Sequence, residues 1–311
     1  MKIIRGDMMN GASPERISII AAALGVAAIL GAMLQFAYEG SRGNPLLSSS
    51  VQTEPRQAEQ PSPCDTSGYD RLLRTYVNDQ GWVDYAGLAH ERTGLNRFLG
   101  ELASVSPTEF KDQSERLAFW INAYNAYTLA DVLDTVYDKH KSVRQVSGFF
   151  DGRKHAVAGE QLTLDEIEKR GRDLHDPRIH FGIVCASTSC PKLQRFAYTG
   201  QALERQLDQA ATEFLADPKR GLRFDLEHKE LSVSPIFKWY AGDFTGDSSG
   251  AGSLWARAKA TVSGGELLDF IARYAPDDVA QAIRENRPAL HYFSYDWSLN
   301  SLNTHSAGTK P

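Results

Sequence analysis

The chain has 311 residues, of which 42% are hydrophobic and 23% charged, with a formal net charge of −5. That length holds one large domain or two small ones. With no basic excess and no Lys/Arg cluster interleaved with aromatics, nucleic acid is excluded as a partner class.

Lys2, Arg5 and Arg16 precede an uncharged apolar run, residues 17–38, which is 22 residues long. About 20 residues suffice to cross a bilayer. The run exceeds the roughly 7–15-residue core of a cleaved signal peptide, and no Ala-x-Ala site closes it. It therefore reads as an uncleaved anchor, with cleavage and secretion as the alternative. Basic residues ahead of the span place residues 1–16 in the cytoplasm and everything after Tyr38 outside it, in the periplasm if the source is bacterial.

Residues 39–66 are rich in Ser, Pro, Gln and Glu. Such composition buries too little apolar surface to offset its ordering entropy, and it reads as a tether. Cys64 falls in it, with no lipobox-like stretch upstream, and reads as a linker residue. The globular pattern spans 67–303 with no internal repeat, followed by a tail, 304–311. Leu72, Leu73, Tyr76 and Val77 have helical spacing, and Gly81 to Tyr85 form a turn and a short extended piece. The segment from Ser114 to about Lys139 is apolar on more than one side and predicts a central buried helix. Thr163 and Glu166 form a capping box that opens the next helix. Residues 180–185 predict a short buried strand, and 186–191 are turn chemistry. Thr199 caps a helix over about 200–215. Residues 222–226 and 230–234 predict a hairpin, helices follow at about 265–274 and 277–285, and the chain closes in an extended run to Asn300. The expected fold is α+β, a mainly helical single domain with a small, largely antiparallel sheet, preceded by one N-terminal transmembrane helix.

The strand end at Cys185 delivers a thiol into a hydroxyl-rich loop, Ala-Ser-Thr-Ser-Cys-Pro. Three cysteines in an oxidising space leave at least one unpaired. Cys185 reads as a nucleophile, a disulfide partner of Cys190 or an inert core thiol, and activation would need a cation, an imidazole or a helix N-terminus nearby. The cysteines lack Cys-x-x-Cys spacing and a His-x-x-His partner, so a dedicated oxidoreductase and a metal site are disfavoured, and no cofactor is expected. Asn122 and Asn125 lie three residues apart on one stripe of the central helix, where they clamp neighbouring backbone, orient another side chain or line a cavity, and in a catalytic site they would orient the base or the acyl oxygen. His180 sits roughly 16 Å from Cys185 along an extended strand and reads as a core histidine, with catalysis as the alternative. His291 and Asp296 complete a Cys…His…Asp order compatible with a papain-like or transglutaminase-like arrangement. Amides of Ser187 or Ser189 are candidates for an oxyanion site. Trp239, Tyr240 and Phe244 read as core aromatics, with Trp239 and Asp296 as candidate substrate contacts.

Several stretches taken together, Leu117 to Ala126, Thr163 to Glu168, His180 to Pro191, Phe237 to Tyr240 with Asp243-Phe244, and Tyr295 to Asn300, resemble the domain of unknown function 547 family over about residues 69 to 301. The resemblance implies Asn122, Asn125, Glu168, His180, Cys185, Pro191, Trp239, Asp243 and Asp296 as matching positions, without assigning roles. It favours a buried acid at Glu168. The family pattern places a histidine after Ile-Glu, where this chain has Lys169.

The resulting expectation is a membrane-anchored extracytoplasmic domain acting as a thiol-dependent hydrolase or acyl transferase through Cys185. The alternative is a non-enzymatic envelope module that binds a peptide or glycan, with a Cys185–Cys190 disulfide. A histidine or carboxylate within hydrogen-bond reach of the Cys185 sulfur would favour the first, and its absence the second.

Overall fold

The computed structural model describes residues 62–245 and 264–303. The chain divides into units 1–59 and 60–311, and every described residue belongs to the second. The apolar run 17–38, most of the tether and the tail lie outside the described residues. Among the described residues no helix is long and apolar enough to cross a membrane.

Helices α1 (Ser67–Tyr76), α2 (Tyr85–His90) and α3 (Arg92–Ser104) lead to the central α4 (Gln113–Asp131). Asp112 caps α4 by accepting the Glu115 amide at 2.8 Å. From Leu117 to Asp131 every residue of α4 is buried, which is why its sequence carries no single apolar stripe. The expected helix to Lys139 stops earlier, passing into a π turn at Val132–Val136. Strands β1 (His155–Val157) and β2 (Glu160–Leu162) pair antiparallel and feed α5 (Leu164–Arg172), which has the Thr163/Glu166 capping box with both of its bonds.

The strand expected at 180–185 is a correction. Residues Ile179–Gly182 form a short helix, α6, and only the residues after it are extended. The Asp176-Pro177-Arg178 sequence starts that turn. Pro177 fixes φ near its helical value, Asp176 accepts the Arg178 amide at 2.9 Å, and the Ile179 amide donates to the Asp176 carbonyl at 3.1 Å. Ile183 and Val184 favour a strand, but the Asp-Pro start signal outweighs them.

The remainder is a 3₁₀ turn at Gly200–Ala202, then α7 (Leu203–Leu215), the hairpin β3 (Leu222–Asp225) and β4 (Glu230–Val233), the short α8 (Ile236–Trp239) and α9 (Ala241–Phe244), α10 (Gly264–Tyr274), α11 (Asp277–Asn286) and β5 (Ala289–Tyr292). Thr199 makes no side-chain cap bond. β3 and β4 are antiparallel, whereas β5 joins β4 in parallel. The architecture is α+β and mainly helical. One apolar cluster surrounds α4, and a second, containing Phe181, Phe214, Phe237 and Phe270, packs α7, the hairpin and α10.

Cys64 is also a correction. It is buried in the α4 cluster, so the folded domain begins before residue 67. Burial, followed by the charges of Glu101 and Asp65, pushes its thiol up to about 12, which makes it unreactive.

Candidate functional site

Asn125 holds the segment that follows α6. Its amide nitrogen donates to the Gly182 carbonyl at 2.8 Å, and its oxygen accepts the Val184 amide at 2.9 Å. Asn122 does the same to Tyr198, at 2.8 and 2.9 Å. Each side chain thus meets the backbone as a neighbouring strand would, satisfying groups that would cost about 1–3 kcal/mol if left unpaired. Each amide donates one bond and accepts one in this way, and neither residue is among those lining the cavity that holds the cysteines. Of the expected roles, both asparagines take that of backbone clamp, and Asn125 fixes the residue immediately before Cys185.

Beyond Val184, Ala186 adopts φ 62°, a left-handed backbone that costs an L-residue roughly 1–2 kcal/mol. The loop is held there from outside. The Asn300 amide donates to the Ala186 carbonyl at 3.1 Å, and Ser187 bridges to Leu299. Within this loop Cys185 and Cys190 lie side by side. All three cysteines are free thiols, and the Cys185 amide donates to the Cys190 sulfur at 3.1 Å. The Tyr295 hydroxyl lies 3.2 Å from the Cys190 sulfur and 3.5 Å from that of Cys185, and the Ser187 hydroxyl lies 3.4 and 3.2 Å from the same two atoms.

Cys190 is the acceptor at the centre of this cluster. Burial alone would raise its pKa, but donors from the Cys185 thiol, Ser187 and Tyr295 outweigh it and bring Cys190 down to about 6. Cys185, as the donating partner and itself buried, is pushed well above the usual thiol range. The donors therefore favour Cys190 over Cys185 as the site of the pair's negative charge. The buried guanidinium of Arg220, stacked 4.2 Å over Trp82, is close enough to interact favourably with that charge.

Both sulfurs line a cavity of about 360 Å³. Also lining it are Asp165 and Glu168 of α5, His180 of α6, Trp239 of α8 and Tyr240 just after α8. Helical spacing puts Asp165, Glu168 and Arg172 along one side of α5. Burial raises Glu168 to about 7, against the opposing pull of Arg172 at 3.8 Å and a hydrogen bond from the Tyr240 hydroxyl. Arg172 pairs with both Asp243 oxygens at 2.7 and 3.1 Å, and His180 Nε2 lies 2.7 Å from Asp243. Burial would raise Asp243, but bonds from His180 and Arg172 hold it well below the usual carboxylate range. For His180 burial is the larger effect, and its pKa is lowered despite Asp243. The neutral ring therefore donates Nε2–H to Asp243, a tautomer assigned from this pairing, and keeps Nδ1 as its acceptor.

His180 was expected at the far end of a strand. The helical turn of α6 instead brings it to the same cavity as Cys185. Ser187 contacts both sulfurs, and its backbone amide is directed at Cys190. The Ser189 amide donates to the Asp296 carbonyl at 3.2 Å, so the expected oxyanion site at Ser187 or Ser189 is not available. Asp296 is exposed and caps a turn through the Ser298 amide at 2.9 Å. His291 is exposed on β5. Neither lines the cavity, so the papain-like order does not converge in space. Phe244 is core, whereas Trp239 is 46% exposed and stacks against Trp297 and Tyr295 at the cavity. Lys169 is exposed and pairs with Asp173 at 2.6 Å, so the departure from the family pattern lies outside the cavity. Among the described residues no group of three or more His, Cys, Asp and Glu side chains is placed to hold a metal ion.

Sequence reasoning missed Arg220, Arg144 and Arg172 and singled out Tyr295 only as the start of a family-like stretch, with no role. Of the arginines only Arg172 had a readable signal, its i,i+4 spacing from Glu168; Arg144 and Arg220 meet the site across long stretches of chain.

Fold and site together define an α+β domain with a paired-thiol cavity faced by a buried acid and a His–Asp pair. Residues 107–215 match the sequence model of the family described as "Protein of unknown function, DUF547", the family that the motifs resemble. The matched segment carries α4, α5, α6 and the thiol loop, and ends before Trp239, Asp243 and Tyr295. No curated protein and no solved structure matches the chain.

Proposed function

We propose that the domain is a thiol-dependent hydrolase or acyl transferase, anchored through residues 17–38 and facing away from the cytoplasm, with Cys190 rather than Cys185 as the resting thiolate. The observation that carries this reading is the set of donors converging on the Cys190 sulfur at a cavity wall. A thiol already deprotonated by its surroundings needs no adjacent base. In the reaction, the Cys190 sulfur forms a bond to an acyl carbon. Glu168, half protonated near pH 7, gives its proton to the departing amine or alkoxide, leaving a thioester. Water or a second nucleophile then attacks the thioester, Glu168 or His180 Nδ1 takes up its proton, and the acid or new ester leaves as the thiolate returns. The test is labelling with a thiol-reactive acyl probe. Cys190→Ala should abolish labelling while Cys185→Ala retains it; persistent labelling of Cys185 in Cys190→Ala would overturn the assignment.

One observation favours the second reading, a non-enzymatic module that binds a peptide or glycan. The hydrogen-bond partners of both sulfurs are hydroxyls, a thiol and a backbone amide, with no histidine or carboxylate among them. In that reading the adjacent thiols are joined as a disulfide. Counting free thiols by mass spectrometry on unreduced protein separates the two, because a blocked pair excludes the enzyme and a readily alkylated pair excludes the disulfide-locked module.

A further inference from the structure

A row of aromatic rings leads from the cavity mouth to the thiols. Tyr295, bonded to both sulfurs, lies 4.7 Å from Trp297 and 4.8 Å from Trp239 between ring centroids, and the two tryptophans stack at 5.9 Å. At the outer end, Arg144 lies 5.0 Å over the Trp297 ring. Among the described residues Arg144 is the only cationic side chain lining the cavity, and its guanidinium pairs with no carboxylate there. A planar guanidinium stacked on an aromatic face is preoriented to bind a planar oxyanion with two parallel hydrogen bonds. Asp165, Glu168 and the Cys190 thiolate share the cavity, so a dianion would meet more repulsion than one guanidinium offsets. A monoanionic carboxylate fits this balance.

We infer that the cavity binds an acylated amino acid or the end of a short peptide, its terminal carboxylate on Arg144, its flat or apolar part along Trp239 and Trp297, and its acyl carbonyl toward the thiol pair. The inference deepens the acyl-transfer reading by naming its substrate class and rests on that reading for the placement of the carbonyl. The carboxylate contact itself is independent of thiol chemistry. N-Benzoylglycine and N-benzoylglycinamide differ only in that group, and their binding to the full-length protein can be followed by tryptophan fluorescence quenching without turnover. The acid should bind at least about tenfold tighter than the amide, consistent with one charge-assisted pair in a partly enclosed site. Arg144→Gln should remove that preference while leaving the amide's affinity unchanged, and Trp239→Ala should weaken both ligands. Thermal unfolding of each variant confirms that it is folded. Equal affinities for acid and amide, a preference that survives Arg144→Gln, or no saturable quenching by either ligand would overturn the inference. If the acid is preferred but acyl probes label neither cysteine, the binding assignment stands and the acyl-transfer reading falls.

Discussion

The protonation of the thiol pair is decided by which sulfur receives donors. Cys190 accepts from a backbone amide and from hydroxyls, whereas Cys185 keeps its proton and donates a hydrogen bond to Cys190. Iodoacetamide alkylation should therefore show an inflection near pH 6 for Cys190, and Tyr295→Phe, which deletes one donor, should move it upward. An unchanged inflection would remove Tyr295 from the account. Glu168 has the opposite linkage. Its folded pKa of about 7 exceeds the ordinary 4.5, so between these values the folded state binds more protons than the unfolded one and stability falls as pH rises. At about 1.36 kcal/mol per unit, the cost above pH 7 is on the order of 3 kcal/mol. Glu168→Gln should accordingly raise the melting temperature at pH 8 and change it little at pH 4. Cys185 and Glu168 were recognisable in the sequence as chemistry-bearing residues. The exchange of roles between Cys185 and Cys190 was not, because Tyr295, more than a hundred positions away, contributes to it.

At the scale of elements, the central helix, the capped α5 and the β3–β4 hairpin were readable because each carries its own local signal: apolar residues all round, a capping box, and alternation about a polar turn. The segment 180–185 was misread because two β-branched residues imitate a strand whose partner is an asparagine side chain rather than another strand. That substitute is testable. Asn125→Ala leaves the Gly182 carbonyl and Val184 amide buried without partners, which should cost roughly 2–5 kcal/mol in chemical denaturation. Asn125→Asp keeps the acceptor for Val184 but sets a carboxylate oxygen against the Gly182 carbonyl, so it should rescue only part of the loss. Equal stability of wild type and Asn125→Ala would show that the clamp is dispensable. The Ala186 backbone gives a complementary prediction, since Ala186→Gly relieves the left-handed strain and should be tolerated, whereas a β-branched residue there should destabilise the loop.

For the whole molecule, the proposed anchoring through residues 17–38 predicts a topology that biochemistry can check. Protease added to spheroplasts, or to the equivalent exposed face, should cut within 39–61 and release a soluble fragment that retains Cys64, because that residue belongs to the packed domain. Protection of the domain until the membrane is lysed would reverse the orientation, and a native N-terminus beyond Tyr38 would show cleavage instead. The pairing of the thiol loop with the last described residues has a temporal consequence. Ser187 bridges to Leu299, Asn300 holds Ala186, and Tyr295 reaches both sulfurs, so nothing built from residues 1–294 alone can hold the two cysteines as they are held here. During synthesis the thiols would behave as ordinary, unactivated side chains until residues 295–300 arrive. Reactivity at Cys190 is thus a mark that this segment has docked on the thiol loop.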